Sequence, residues 1–134
     1  MHLIFLQLSY MYNTISGTRI GRVRVIFTLP AVLDHGPSPL SWTKAPLAYI
    51  EWYTALKPSA EPNHNMYSIR KLYRSDGSQA GSIIPLTSIR QSCMLFPVFN
   101  RKVNQTWTTD NVLNSCSSFL VNNWQNMYAY KTIW

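Results

Sequence analysis

Acidic residues are scarce. Asp and Glu number 5 in 134 residues, against 12 Lys and Arg, for a net charge of +7. The five are Asp34, Glu51, Glu61, Asp76 and Asp110, and no two are neighbours. Two-metal phosphoryl chemistry needs several converging carboxylates, and no local group supplies them. The three histidines, His2, His35 and His64, form no HxH or HxxxH pair, so a local metal motif is excluded. Only two cysteines occur, Cys93 and Cys116, in apolar contexts and without a CxxC. That excludes a zinc ribbon and favours two buried thiols in a reducing compartment, with a disulfide as the minority alternative. There is no Gly-x-Ser-x-Gly elbow, and Gly17-Thr18-Arg19-Ile20-Gly21 lacks the rest of a phosphate loop. No stretch approaches the ~18 apolar residues that span a bilayer. The opening run Met1 to Leu8 has no basic residue ahead of it and is broken at Gln7, so it reads as a strand rather than a signal segment. Charged residues are 13% of the chain, about half the usual share.

What is present is apolar and aromatic. Hydrophobic residues are 46% of the chain and aromatics 13%, enough to build one core in a single domain over residues 1–134. The periodicity is that of strands. Arg22-Val23-Arg24-Val25-Ile26-Phe27 alternates, which predicts Val23, Val25 and Phe27 on one face and Arg22 and Arg24 on the other. Leu47 to Tyr53 alternates with large rings on both sides and reads as a central strand. Residues 31–46 and 57–65 are proline-bearing loops. Met66–Arg74 and Gln79–Leu86 read as strands joined by Ser75-Asp76-Gly77-Ser78, a hairpin signal with positive φ expected at both central positions. Ile89–Phe99 and Ser118–Asn122 read as further strands. Thr109 or Asp110 is placed to cap a short helix, and the aromatic tail 123–134 carries a helix-like spacing. The expected class is all-β, a small barrel-like domain with a few short helical turns.

The charge is more informative than the acids. Arg19, Arg22 and Arg24 form one basic stretch, and Arg70, Lys71 and Arg74 another beside the hairpin turn; Arg90, Arg101 and Lys102 add to them. Such a surplus attracts phosphates, with strong salt dependence. The alternative is a solvated polar face. Arg22, Arg24, Arg70, Lys71 and Arg74 are the candidate nucleic-acid contacts. Tyr67 and Tyr73 are candidate stacking rings; with Trp107 they could equally cage a methylated lysine, and for each ring taken singly a place in the core is the preferred reading. Glu51 is the one acid inside an apolar strand. It is either a base with an altered pKa or, the preferred reading, the partner of an arginine on a neighbouring strand.

The order of Arg19–Phe27, Leu47–Tyr53, Ile83–Leu86 with Ile89–Cys93, Trp107–Leu113 and Cys116–Asn122 resembles the C-terminal region of Plavaka-type (KDZ-like) transposon-derived proteins of mushroom-forming fungi. The resemblance covers roughly residues 17 to 122. It departs from the family pattern at Met94 and Val98, where that pattern often has His and a basic residue. A second, fold-level resemblance is to bromo-adjacent homology domains, β-barrels that read chromatin tails or proteins. The first resemblance implies a non-catalytic accessory module of a mobile-element protein; the surplus of positive charge makes nucleic acid its expected partner, and the reduced thiols place it in the nucleus or cytoplasm. The resemblance also implies that the acids that cut DNA lie outside this chain. The alternatives are a histone-tail or protein reader, and a truncated remnant without activity of its own. No catalytic residue, metal, cofactor, membrane or small-molecule substrate is expected.

Overall fold

The computed structural model of the protein describes residues 3–7, 18–99 and 104–122. The aromatic tail from residue 123, Arg101, Lys102 and His2 lie outside the described residues, and so do the expectations placed on them. Nine strands occur among the described residues: β1 Leu3–Gln7, β2 Thr18–Phe27, β3 Val32–Leu33, β4 Gly36–Pro37, β5 Leu47–Trp52, β6 Tyr67–Arg70, β7 Gly81–Pro85, β8 Ile89–Pro97 and β9 Ser118–Asn122. They are joined by a 3-10 turn at Leu86–Ser88 and one helix, α1, at Val112–Ser115. The chain is all-β, as its alternation predicts.

Seven strands form one antiparallel sheet in the order β6-β9-β8-β1-β2-β5-β7, and β3 and β4 form a separate two-residue hairpin within the proline-rich loop. An isolated bridge, Tyr53 to Lys71, joins the ends of β5 and β6. The Thr54 N–H donates to the Arg70 carbonyl, and the Leu72 N–H to that of Trp52. This is a bridge rather than a ladder, because β7 occupies the flank of β5. The sheet is therefore not closed into a barrel by its strand pairings.

Alternation along β5 explains the core. Ala48, Ile50 and Trp52 point to one side and pack with Ile84, Val23, Leu72, Leu86 and Ile89. Tyr53 points to the other side and packs with Ile20, Tyr67, Ile69, Cys93, Leu95, Val112, Cys116, Phe119 and Val121. The rings of Tyr53 and Phe119 meet edge to face, 5.7 Å between centroids, a geometry that aromatic quadrupoles favour. Cys93 and Cys116 are both buried and both free, so the minority disulfide reading is set aside. Gly21 stands where β2 crosses β5 closely. A Cβ there would run into Ile50, the Glu51 carbonyl and the Trp52 ring.

Three local readings are corrected. The pairing of β2 with β5 shifts register between Val23 and Val25, so Arg24 is the extra residue of a bulge. Val23 then packs with the β5 core side, while Val25 turns to the opposite face and is 48% exposed. At the hairpin only Gly77 has positive φ, 82°; Asp76 instead uses Oδ1 to accept from the Ser78 N–H and hydroxyl. The hydrogen bonds between Arg74 and Ser78, and from Gly77 to Arg74, make this a three-residue loop. The helix is capped by Asn111, not by Thr109 or Asp110. The Asn111 side chain is engaged backwards, accepting from the Thr108 N–H and donating to the Thr106 carbonyl.

Candidate functional site

Arg22 and Glu51 are directly opposite across β2 and β5. The bulge lets Arg24 return to the same carboxylate, with Nε 3.6 Å from Glu51 Oε1. Glu51 is thus the partner of an arginine from the neighbouring strand. Lys71 arrives from the β6 side through its bridge to Tyr53, the residue two beyond Glu51. Both new cations then converge on Asn114. Arg22 Nη1 donates to Asn114 Oδ1 at 2.6 Å, and Lys71 Nζ donates to the Asn114 carbonyl at 2.6 Å. Asn114 is held there because α1 anchors Val112 in the core.

Arg24 thus pairs with Glu51, while Arg22 and Lys71 are brought together on Asn114. Partial burial, then the nearby Arg22 charge, holds the Lys71 ammonium below the ordinary lysine range. Arg22 carries five N–H donors and makes one hydrogen bond among the described residues, so it has donors to spare. An arriving anion would relieve the repulsion between Arg22 and Lys71 and use those donors. Beneath them the Tyr53 side chain is fully buried, with a hydroxyl that has no partner among the described residues. Burial raises its pKa well above the ordinary tyrosine value and keeps it neutral, while the Arg22 charge pulls the other way.

One row further along the same face, the polar surface becomes apolar. Val25, Tyr49 and Ile83 stand side by side on β2, β5 and β7. Val25 is exposed and Ile83 is 58% exposed. Tyr49 is half-buried, and its ring leans across β7 over Gly81, where a Cβ would collide with it. The next residue pair of the hairpin, Tyr73 and Gln79, continues the Lys71 side by strand alternation, and Tyr73 is 54% exposed.

The basic residues expected to act together separate into two sets. Arg22, Arg24 and Lys71 converge. Arg70 precedes Lys71 on an extended strand, so it points to the opposite side, and it is exposed. Arg74 is committed to the β7 edge, where Nη2 donates to the Gly81 carbonyl at 2.7 Å. Tyr67 is only 6% exposed and belongs to the core, so its ring faces are closed to stacking, whereas Tyr73 is open. Asn114 and Tyr49 went unmarked in the sequence. Tyr49 was detectable as the residue two before Glu51 on one strand face; nothing local marks Asn114.

No family model matches the chain, and no curated protein or solved structure matches it. Among the described residues no group of three His, Cys, Asp or Glu side chains could hold a metal ion, and no helix is long and apolar enough to cross a membrane.

Proposed function

We propose that this chain is a non-catalytic accessory module of a mobile-element, transposase-like protein, working in the nucleus or cytoplasm, and that it binds the nucleic-acid backbone through Arg22, Arg24 and Lys71. The observation that carries the reading is the meeting of Arg22 and Lys71 on Asn114, from segments that are far apart in sequence, with Glu51 the one acid beside them among the described residues. Fixed cations with unspent donors suit phosphate oxygens, which accept charge-assisted hydrogen bonds. The resemblance over residues 17 to 122 supplies the mobile-element context. The body is read as barrel-like, in the manner of bromo-adjacent homology domains, with the Tyr53–Lys71 bridge as its seam. A reader of cationic tails fits this face less well, because its one carboxylate is engaged by Arg24.

The test is a binding titration of the full chain with DNA and RNA, single- and double-stranded, across salt concentrations. Three phosphate contacts give a slope of log K against log salt of about −2 to −3. Arg22→Ala and Lys71→Ala each lower the slope by about one. Absence of binding to every nucleic acid at low salt overturns the proposal.

A further inference from the structure

Resting on that nucleic-acid reading, we infer that the ligand is single-stranded, its phosphates held by Arg22, Arg24 and Lys71 and its bases laid on the adjoining row of Val25, Tyr49 and Ile83, with Tyr73 as an outlying stacking ring. The argument begins from placement. Arg22 and Glu51 form one cross-strand row, and Val25, Tyr49 and Ile83 form the next row on the same face. Adjacent rows on one sheet face lie about 7 Å apart, two residues of strand rise. A nucleotide whose phosphate rests on the cations therefore has its base over the apolar row.

The row is exposed where an unliganded sheet face would ordinarily be polar. Val25 and Ile83 are about half exposed or more, and Tyr49 lies between them with its ring spread over Gly81. Gly81 is needed for that posture, since any side chain there would lift the ring. A duplex leaves such a surface unused. Its base faces are stacked inside, and only phosphates, sugars and groove edges meet a protein. A single strand presents base faces, and every base can stack on an aromatic ring. Charge complementarity selects a polyanion as the occupant, because the apolar row borders Arg22 and Arg24, Lys71 lies beyond them on Asn114, and the Glu51 carboxylate beside them is already engaged by Arg24.

The experiment measures fluorescence anisotropy of the full chain with a labelled oligo-dT of about 15 nucleotides, with a duplex of equal length, and with heparin as a polyanion that has no bases. The single strand is expected to bind roughly tenfold more tightly than the duplex. Tyr49→Ala and Tyr73→Ala each weaken single-strand binding by about tenfold, while heparin and duplex binding stay within twofold. Tyr73 is exposed, so its variant keeps the test independent of folding. Equal affinity for both DNA forms, with the tyrosine variants unchanged, overturns this inference and leaves the nucleic-acid proposal standing. Loss of heparin binding in the Tyr73 variant also overturns it, since the ring would then act through the fold. Failure of every nucleic acid to bind overturns the proposal of the preceding section and this inference with it.

Discussion

Cys93 illustrates what burial does to one side chain. It sits on β8 in the core at 1% exposure, and desolvation pushes its thiol from 9.0 up to about 12. The unfolded chain ionises this thiol from about pH 9; the folded chain does not until the raised value is reached. The stability tied to Cys93 is therefore fully present below pH 9 and is lost as pH rises toward 12, at up to about 1.4 kcal/mol per pH unit. Tyr53, also raised by burial, adds a loss that starts near its unfolded value of 10. Urea unfolding of wild type and Cys93→Ala from pH 8 to 11 checks this. The variant's stability should fall less steeply above pH 9, and parallel curves would contradict the assignment. The burial of Cys93 was legible from its apolar neighbours. The same preference for the core holds for Tyr67 but not for Tyr73, whose exposure beside the hairpin turn no neighbouring residue announces.

The hairpin between β6 and β7 shows the same mixture at the scale of an element. Asp-Gly between two strand-like runs announces a turn, and the turn is there. Its type was not legible, because the Asp76 carboxylate chooses a local pairing with Ser78 over a second left-handed residue. The full left-handed demand falls on Gly77, so Gly77→Ala should cost about 1–2 kcal/mol and lower the thermal midpoint by several degrees, measured by circular dichroism. An unchanged midpoint would mean that the loop relaxes to another turn type. Register faults are harder to anticipate than turns. The run Arg22 to Val25 alternates in sequence, yet the bulge at Arg24 sends Val23 and Val25 to opposite faces. One inserted position decides whether a valine is core or surface. That same bulge brings Arg24 to Glu51, so the element's irregularity is part of the candidate site.

Across the whole molecule, strands distant in the ladder are tied through the interior. Phe119 on β9 meets Tyr53 beside β5, although β8, β1 and β2 intervene in strand order. Phe119→Ala should therefore cost about 3–5 kcal/mol, a large fraction of the 5–15 kcal/mol typical of a domain. It should weaken near- and far-ultraviolet circular dichroism transitions together in urea; a shift confined to one probe would indicate separate units. The basic character of the chain was visible in its composition, but the meeting of Arg22 with Lys71 and Asn114 was not, since only the folded ladder brings them together. The edge at β7 has a consequence of its own. Ala80 turns its carbonyl toward Trp52, so the backbone groups of Gly81, Ile83 and Pro85 face outward. Arg74 occupies the Gly81 carbonyl and Pro85 has no N–H to offer, which leaves Ile83, among the described residues of β7, with the only complete donor and acceptor pair on that flank. A neighbouring molecule finds too few anchor points there to extend the sheet, so the protein can be concentrated without its copies zipping together along this side.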